Sequence, residues 1–306
     1  MGKLSFSQKL RYGAEAAVFF AFMGFFRLLG LDGASAVGGF IGRQIFARTR
    51  VTKRARENLI AAFPEKSAAE IEAIIAGMWD NLGRTIAEYA HLDKFTASNK
   101  PGARLFVSGD AISDAEVAKA SGTLFVSGHL ANWELMPIAA EQWGYQGALV
   151  YRPPNNPYVD RFISRQRALR GPKEQISKFF GTRRIFSLLR GGHAIYMLVD
   201  QKTNEGIAAP FFGRDAMTTP VPAALALKMG ARIVLVSNKR LGGARFHVTV
   251  HPPLEFAPSG EHERDVRALT YAINARLEEI VRADPSQWLW IHRRWPTARD
   301  VVTGKR

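Results

Sequence analysis

The chain has 306 residues and no cysteine, which removes disulfides, thiolate nucleophiles and cysteine-type zinc sites together. Lys and Arg number 42 against 27 Asp and Glu, a formal charge of +15, so its field attracts nucleic acid, anionic lipid headgroups or an acidic protein. An apolar share of 47% is ordinary for a globular chain and excludes a polytopic membrane protein.

The first element is a helix built on Ala16 to Phe26 (AAVFFAFMGFF), uncharged and flanked by Glu15 and Arg27. Beyond Arg27 the pattern stays apolar to Ile41 except for Asp32. A membrane-spanning helix wants about 20 apolar residues, so this interrupted stretch is marginal as a span and suited to lying in the interface. Lys3, Lys9 and Arg11 before it, and Arg43, Arg48 and Arg50 after it, suit an anionic membrane surface. A buried core helix is the other reading of the same pattern, and no convincing signal-peptide cleavage site follows it. The expected division is a membrane-anchoring region over 1–45 and a catalytic domain over 46–306.

Helical spacing continues through Val51–Phe63 and Ser67–Leu92, the latter opened by Ser67 with Glu70 three residues on as a capping box. From about residue 104 short β-rich runs alternate with helical ones. The runs are Leu105–Val107, Leu124–Ser127, Ala148–Tyr151, Ala194–Val199, Ile233–Ser237 and Phe246–Val250. Helices are expected near 112–120, 132–143, 156–169, 183–190, 221–229 and 262–283. This alternation predicts an α/β fold, with a mostly parallel or mixed central sheet flanked by helices behind the N-terminal helical region. The last two strands lie close enough for a hairpin through Leu241-Gly242-Gly243.

Sites in such sheets sit at the carboxyl ends of strands, which points to the loops after Ser127 and Val199. The first reads Gly128-His129-Leu130-Ala131-Asn132-Trp133-Glu134. A neutral imidazole at a strand end can take a proton from a substrate hydroxyl if an acceptor holds its other nitrogen. Glu134 is five residues on and can reach His129 only if the histidine stays in the loop and the glutamate enters the helix. Spacing alone favours a helix-capping histidine over a base. With no cysteine and no serine in a nucleophile elbow, direct attack by a hydroxyl is the simpler chemistry.

GHLANWE, followed by YRPPNNPYVDRFISRQR, LVDQK, PFFG, TTP and WLWIHRRW, resembles the bacterial lipid A biosynthesis acyltransferases of the late, lauroyl- or myristoyl-type class. These lie within the wider His-x4-Asp/Glu lysophospholipid acyltransferase superfamily. The resemblance runs over most of the chain, with its blocks in order. It implies that His129 is a general base oriented by Glu134. It also implies substrate-side roles for Arg167, Asp200, Arg152, Asn156 and Gln201. The implied donor is an acyl chain on acyl carrier protein, and the implied acceptor a membrane-embedded hydroxyacyl glucosamine lipid. No metal or other cofactor is expected, and the five histidines outside these blocks share no ligand spacing.

On chemistry alone, Arg167 suits an anionic intermediate or lipid phosphate but stands among surface arginines, and Asp200 equally suits a loop cap or ion pair. Thr219 caps a helix or binds phosphate; the tryptophans of the last block line a membrane interface or pack in the core. A twelve-carbon chain gains on the order of 8 kcal/mol in the bilayer, so the enzyme must come to the membrane surface, which the resemblance implies is the inner membrane with the active site facing the cytoplasm. Acyl carrier proteins are acidic, and a basic surface steers them. A same-fold alternative acylates another glycolipid, a phospholipid or an aminolipid. A nucleic-acid binder would need a basic stripe with interleaved aromatics; the basic residues are scattered, so nucleic acid is not an expected partner.

Overall fold

The computed structural model describes residues 5–109, 122–178 and 181–295. The chain opens with α1 (Phe6–Leu28), started by a capping box between Ser5 and Gln8, and α2 (Gly30–Gln44). α1 buries Ala16, Met23 and Phe26 but exposes Leu10, Val18, Phe22, Phe25 and Leu28. It is therefore a surface helix with an apolar outer face. Among the described residues no helix is long and apolar enough to cross a membrane.

α3 (Val51–Ala62) and α4 (Ala68–Glu88) follow, with Ser67 and Glu70 forming the expected capping box. α2 lies hard against α4. A Cβ on Gly42 would sit 2.0 Å from the Trp79 carbonyl oxygen, and one on Gly83 2.1 Å from that of Gly38. Only glycine allows this approach, so the first helices are packed onto the body.

Among the described residues the central sheet has eight strands: β1 (Ala97–Ser98), β2 (Leu105–Ser108), β3 (Thr123–Ser127), β4 (Gly147–Tyr151), β5 (Glu174–Ser177), β6 (Ala194–Leu198), β9 (Arg232–Gly242) and β10 (Arg245–Pro253). Their order is β1-β2-β10-β9-β3-β6-β4-β5. Only β9 and β10 pair antiparallel, as the hairpin expected around Gly242-Gly243; every other neighbouring pair is parallel. β3 is central and covered on both faces. Leu124 and Val126 enter one core cluster, and Phe125 enters the other, following the two-residue period.

Helices α5 (Leu135–Gln142), α6 (Pro157–Ala168), α7 (Thr182–Arg190), α8 (Val221–Met229) and α9 (His262–Ala283) match expected segments, with α5 starting three residues late. The helix expected near 112–120 lies outside the described residues. β5 is too short and polar (EQIS) to read as a strand from pattern. The separate hairpin β7 (Ile207–Phe211) and β8 (Arg214–Thr218) turns at Phe212, whose φ of 54° a glycine-based rule does not anticipate. The parallel strands β3, β4 and β6 bring their carboxyl ends to one edge, where the site residues stand.

Candidate active site

β3 and β6 are sheet neighbours in parallel register, with Ser127 opposite Leu198. Two residues beyond each partner lie His129 and Asp200, so the register carries the two side by side. A Cβ on Gly128 would come within 3.1 Å of Asp200 Oδ2 and 3.3 Å of Leu277, which explains glycine at the exit from β3. His129 Nδ1 is 2.7 Å from Asp200 Oδ1, and the His129 backbone N–H donates to Oδ2 at 2.7 Å. The Trp288 indole N–H donates to the same Oδ2 at 2.8 Å. Asp200 is fully buried. Burial pushes its carboxyl up, but His129, by charge and hydrogen bond, and then His292 outweigh it and hold the group well below the usual carboxylate range.

An ionised Asp200 accepts, so Nδ1 of His129 carries the hydrogen, and the lone pair of a neutral imidazole in this orientation would lie on Nε2. The ring is held between Trp133 and His292, with centroids 5.0 and 4.9 Å away. Gln201, exposed, brings its side-chain Nε2 to 3.4 Å from His129 Nε2.

The carboxylate that orients His129 is thus Asp200, where the spacing pointed to Glu134. Glu134 is the residue before α5 and faces a different partner. Arg167, in the last turn of α6, grips it with both arms: Nε to Oε2 at 2.6 Å and Nη2 to Oε1 at 2.7 Å. The Tyr89 hydroxyl and the Trp133 indole N–H donate to Glu134 Oε1 as well. Burial raises the Glu134 carboxyl, and the Arg167 charge and hydrogen bonds more than reverse this, so the group is a carboxylate. Burial and then the Glu134 charge drive the Tyr89 phenol far up, keeping it a donor. Arg167 Nη1 is shut off from solvent with no hydrogen-bond partner among the described residues, and the guanidinium lies 5.3 Å from the Tyr151 ring centre. The reason for the exchange of partners is geometric: α5 begins only at Leu135, so Glu134 leaves along the helix start while His129 stays at the strand end.

The other residues singled out by sequence divide. Arg152 directly follows β4 at the same sheet edge and is exposed, with no hydrogen bond or ion pair among the described residues. Asn156 is buried. Its oxygen caps α6 by accepting from the Tyr158 and Val159 N–H groups, and its amide donates to the Tyr12 carbonyl and Glu15. That side chain is spent on joining α6 to α1. The Thr219 hydroxyl accepts from the Val221 N–H, the capping alternative. Trp288, Trp290 and Trp295 are all buried, packed with Phe211, Phe212 and Phe63, which is the core alternative. Sequence reasoning missed Tyr89, which sits on an ordinary helical pattern, and the role of Trp288 on Asp200. The signal for Trp288 was its place in the last block.

His292 also went unassigned. Its Nε2 is buried without a partner among the described residues, and burial, then the neighbouring His129, lowers its pKa to about 4. Asp200 opposes that shift, while Arg294 and Arg54 reinforce it. With the folded value below the ordinary value near 6.5, the unfolded chain binds a proton that the native chain does not, between about pH 6.5 and 4. Stability therefore falls as pH drops through that window, by at most about 3 kcal/mol from this group. His292→Gln should flatten the slope. Urea unfolding at pH 7 and 4.5 checks this, and equal pH slopes in both proteins would contradict it.

The family model described as bacterial lipid A biosynthesis acyltransferase matches residues 3–297. The chain is 30% identical over 278 residues to the lipid A biosynthesis palmitoleoyltransferase of Escherichia coli K12, covering 84% of each protein. It is 26% identical over 263 residues to the lipid A biosynthesis lauroyltransferase of the same organism, covering 84% of this chain and 82% of the relative. It is 24% identical over 263 residues to the phosphatidylinositol mannoside acyltransferase of Mycobacterium tuberculosis H37Rv, covering 83% and 80%.

Proposed function

The chain belongs to the bacterial lipid A biosynthesis acyltransferase family and is an acyl-transferring enzyme of lipid A biosynthesis, and we propose that it performs a late acylation, moving a fatty acyl chain from acyl carrier protein to a hydroxyl of a lipid A precursor. The observation that carries the mechanism is the buried, ionised Asp200 on Nδ1 of His129, which leaves Nε2 as a base at the carboxyl edge of the sheet. Nε2 takes the proton of the acceptor hydroxyl as its oxygen attacks the thioester carbonyl. The tetrahedral intermediate carries a negative oxygen. Its collapse reforms the carbonyl, breaks the carbon–sulfur bond and expels a thiolate, which receives the proton from His129. The positive charge that His129 bears between these steps lies against Asp200.

Glu134 and Arg167 form the second charged centre. Glu134 fixes the guanidinium, and Arg167 supplies positive charge for the developing oxyanion or a lipid phosphate. Gln201 adds a neutral amide donor beside the base, and Arg152 an unpaired charge at the same edge. Asn156 serves by placing α6, and with it Arg167. We place the enzyme on the cytoplasmic face of the inner membrane, with the apolar outer face of α1 in the lipid and the basic surface steering the acidic carrier.

The relative named for a phosphatidylinositol mannoside favours one second reading, the same chemistry on another glycolipid. Mass spectrometry of lipids from a strain lacking the gene separates the two. The expected result is lipid A short of one acyl group, restored by the intact gene and poorly restored by a Phe22→Glu, Phe25→Glu variant. Unchanged lipid A with a different under-acylated lipid would overturn the assignment in favour of the second reading.

A further inference from the structure

The turn joining His129 to Glu134 rests on a buried charge pair, and we propose that Glu88 on α4 and Arg240 on β9 are positioning residues that set its shape. This rests on His129 being the base and says what places it. Ala131 has φ 46°, a left-handed conformation that a side chain disfavours. The neighbours hold it there: its carbonyl accepts from Asn81 Nδ2 at 3.0 Å and Thr85 Oγ1 at 3.1 Å, and its N–H donates to the Gln287 carbonyl at 2.9 Å. Asn132 next in the chain is fully buried. Its amide donates to Glu88 Oε2 at 2.9 Å, while its oxygen accepts from the Glu134 N–H at 3.2 Å. One asparagine therefore ties Glu88 to the start of α5.

The groups on the turn are themselves oriented by the pair. Arg240 donates through Nη1 and Nη2 to the two oxygens of Glu88, through Nε to Asn81 Oδ1 at 2.8 Å, and through Nη2 to Thr85 Oγ1 at 3.2 Å. Glu88 Oε1 accepts in addition from Ser35 on α2 at 2.8 Å, so both oxygens are doubly engaged. The spacings show how the two elements deliver these groups. Asn81, Thr85 and Glu88 recur at helical intervals on α4, and Asn238 and Arg240 continue the inward phase of Val234 and Val236 on β9. A fully buried ion pair adds little stability over apolar packing, whereas a satisfied polar network specifies one geometry. Here that geometry sends His129 to Asp200 and Glu134 to Arg167.

Removing Glu88 alone would strand a buried arginine, so the test uses neighbours. Asn132→Ala and Ser35→Ala each delete one uncharged donor to the same Glu88 carboxylate and one bond accepted from a second partner, the Glu134 N–H for Asn132 and Arg84 for Ser35, but only Asn132 belongs to the turn. Steady-state kinetics in mixed micelles, with acyl carrier protein as donor, should show kcat at least tenfold lower in Asn132→Ala with KM within twofold. Ser35→Ala should keep both within twofold, with a comparable loss in Tm. Arg240→Lys, which keeps the charge and gives up the fork, should follow Asn132→Ala. A kcat for Asn132→Ala within tenfold of the parent, or a Ser35→Ala loss equal to it, overturns the positioning role. His129→Ala in the same assay keeps the two readings apart: if it stays active the base assignment fails, and if it is inactive while Asn132→Ala is normal only the positioning role fails.

Discussion

Asp200→Asn is expected to lower kcat by about 10³–10⁴-fold with the fold intact, a loss of the same order as His129→Ala. The reason lies in the two ring nitrogens. Asp200 accepts from Nδ1 at 2.7 Å, so the lone pair needed for proton abstraction is on Nε2. An asparagine in its place can present an amide N–H to Nδ1, which favours the opposite tautomer and puts the hydrogen on the atom that must be the base. It also withdraws the negative charge that stabilises imidazolium. In hydrolase triads this change costs about 10⁴ in kcat, and general-base assistance as a whole is worth about 10²–10⁴. The backbone N–H of His129 and the Trp288 indole still find an oxygen on asparagine, so stability should change much less than activity. The measurement is kcat of purified variants on acyl carrier protein and lipid acceptor, with Tm beside it. Asp200→Asn within tenfold of the parent would remove Asp200 from the role and return the orienting task to Glu134.

Glu134→Gln is expected to act on stability and activity together. Glu134 is 2% exposed, and Arg167 holds it in a two-armed grip with its own side chain 13% exposed. Both charges have left water, and each depends on the other for compensation. Neutralising one partner leaves an unpaired buried guanidinium, a change that costs about 3–5 kcal/mol in comparable settings. For a chain of this size that corresponds to a fall in Tm of roughly 5–8 °C. The double change Glu134→Gln, Arg167→Met should recover most of that stability while leaving the enzyme inactive, because the cation proposed for the oxyanion or lipid phosphate is gone. Thermal unfolding of the three variants, read as a double-mutant cycle, gives the coupling directly. A Tm for Glu134→Gln within 2 °C of the parent would mean that the pair is not a buried, mutually dependent one.

Much of this was legible before any fold was known, and the limits follow from locality. The capping box at Ser67, the glycine hairpin before β10 and the alternation of strands and helices are written in adjacent residues. The same holds for the place of His129 just beyond a strand. What was misassigned was a pairing. His129 and Glu134 are close in sequence, and a search by spacing joins them. Asp200 is 71 residues downstream in the β3–β6 register and emerges from a strand that becomes a neighbour only after the chain has built β4 and β5. Glu88 and Arg240 were passed over for a related reason. Each is the charged member of a few polar residues on the core phase of a largely apolar element, with Asn81 and Thr85 on α4 and Asn238 on β9, and that signal gains meaning only when the two elements are known to meet.

The sequence by itself determined the class of fold, the family, and the strand end that bears His129, because period, caps and ordered motifs are local properties. Tertiary structure decided which carboxylate holds His129 and which holds Arg167. A parallel sheet brings side chains together by register, so His129 meets Asp200. The late start of α5 turns Glu134 toward Arg167, and a left-handed Ala131 over a buried ion pair keeps the two centres apart.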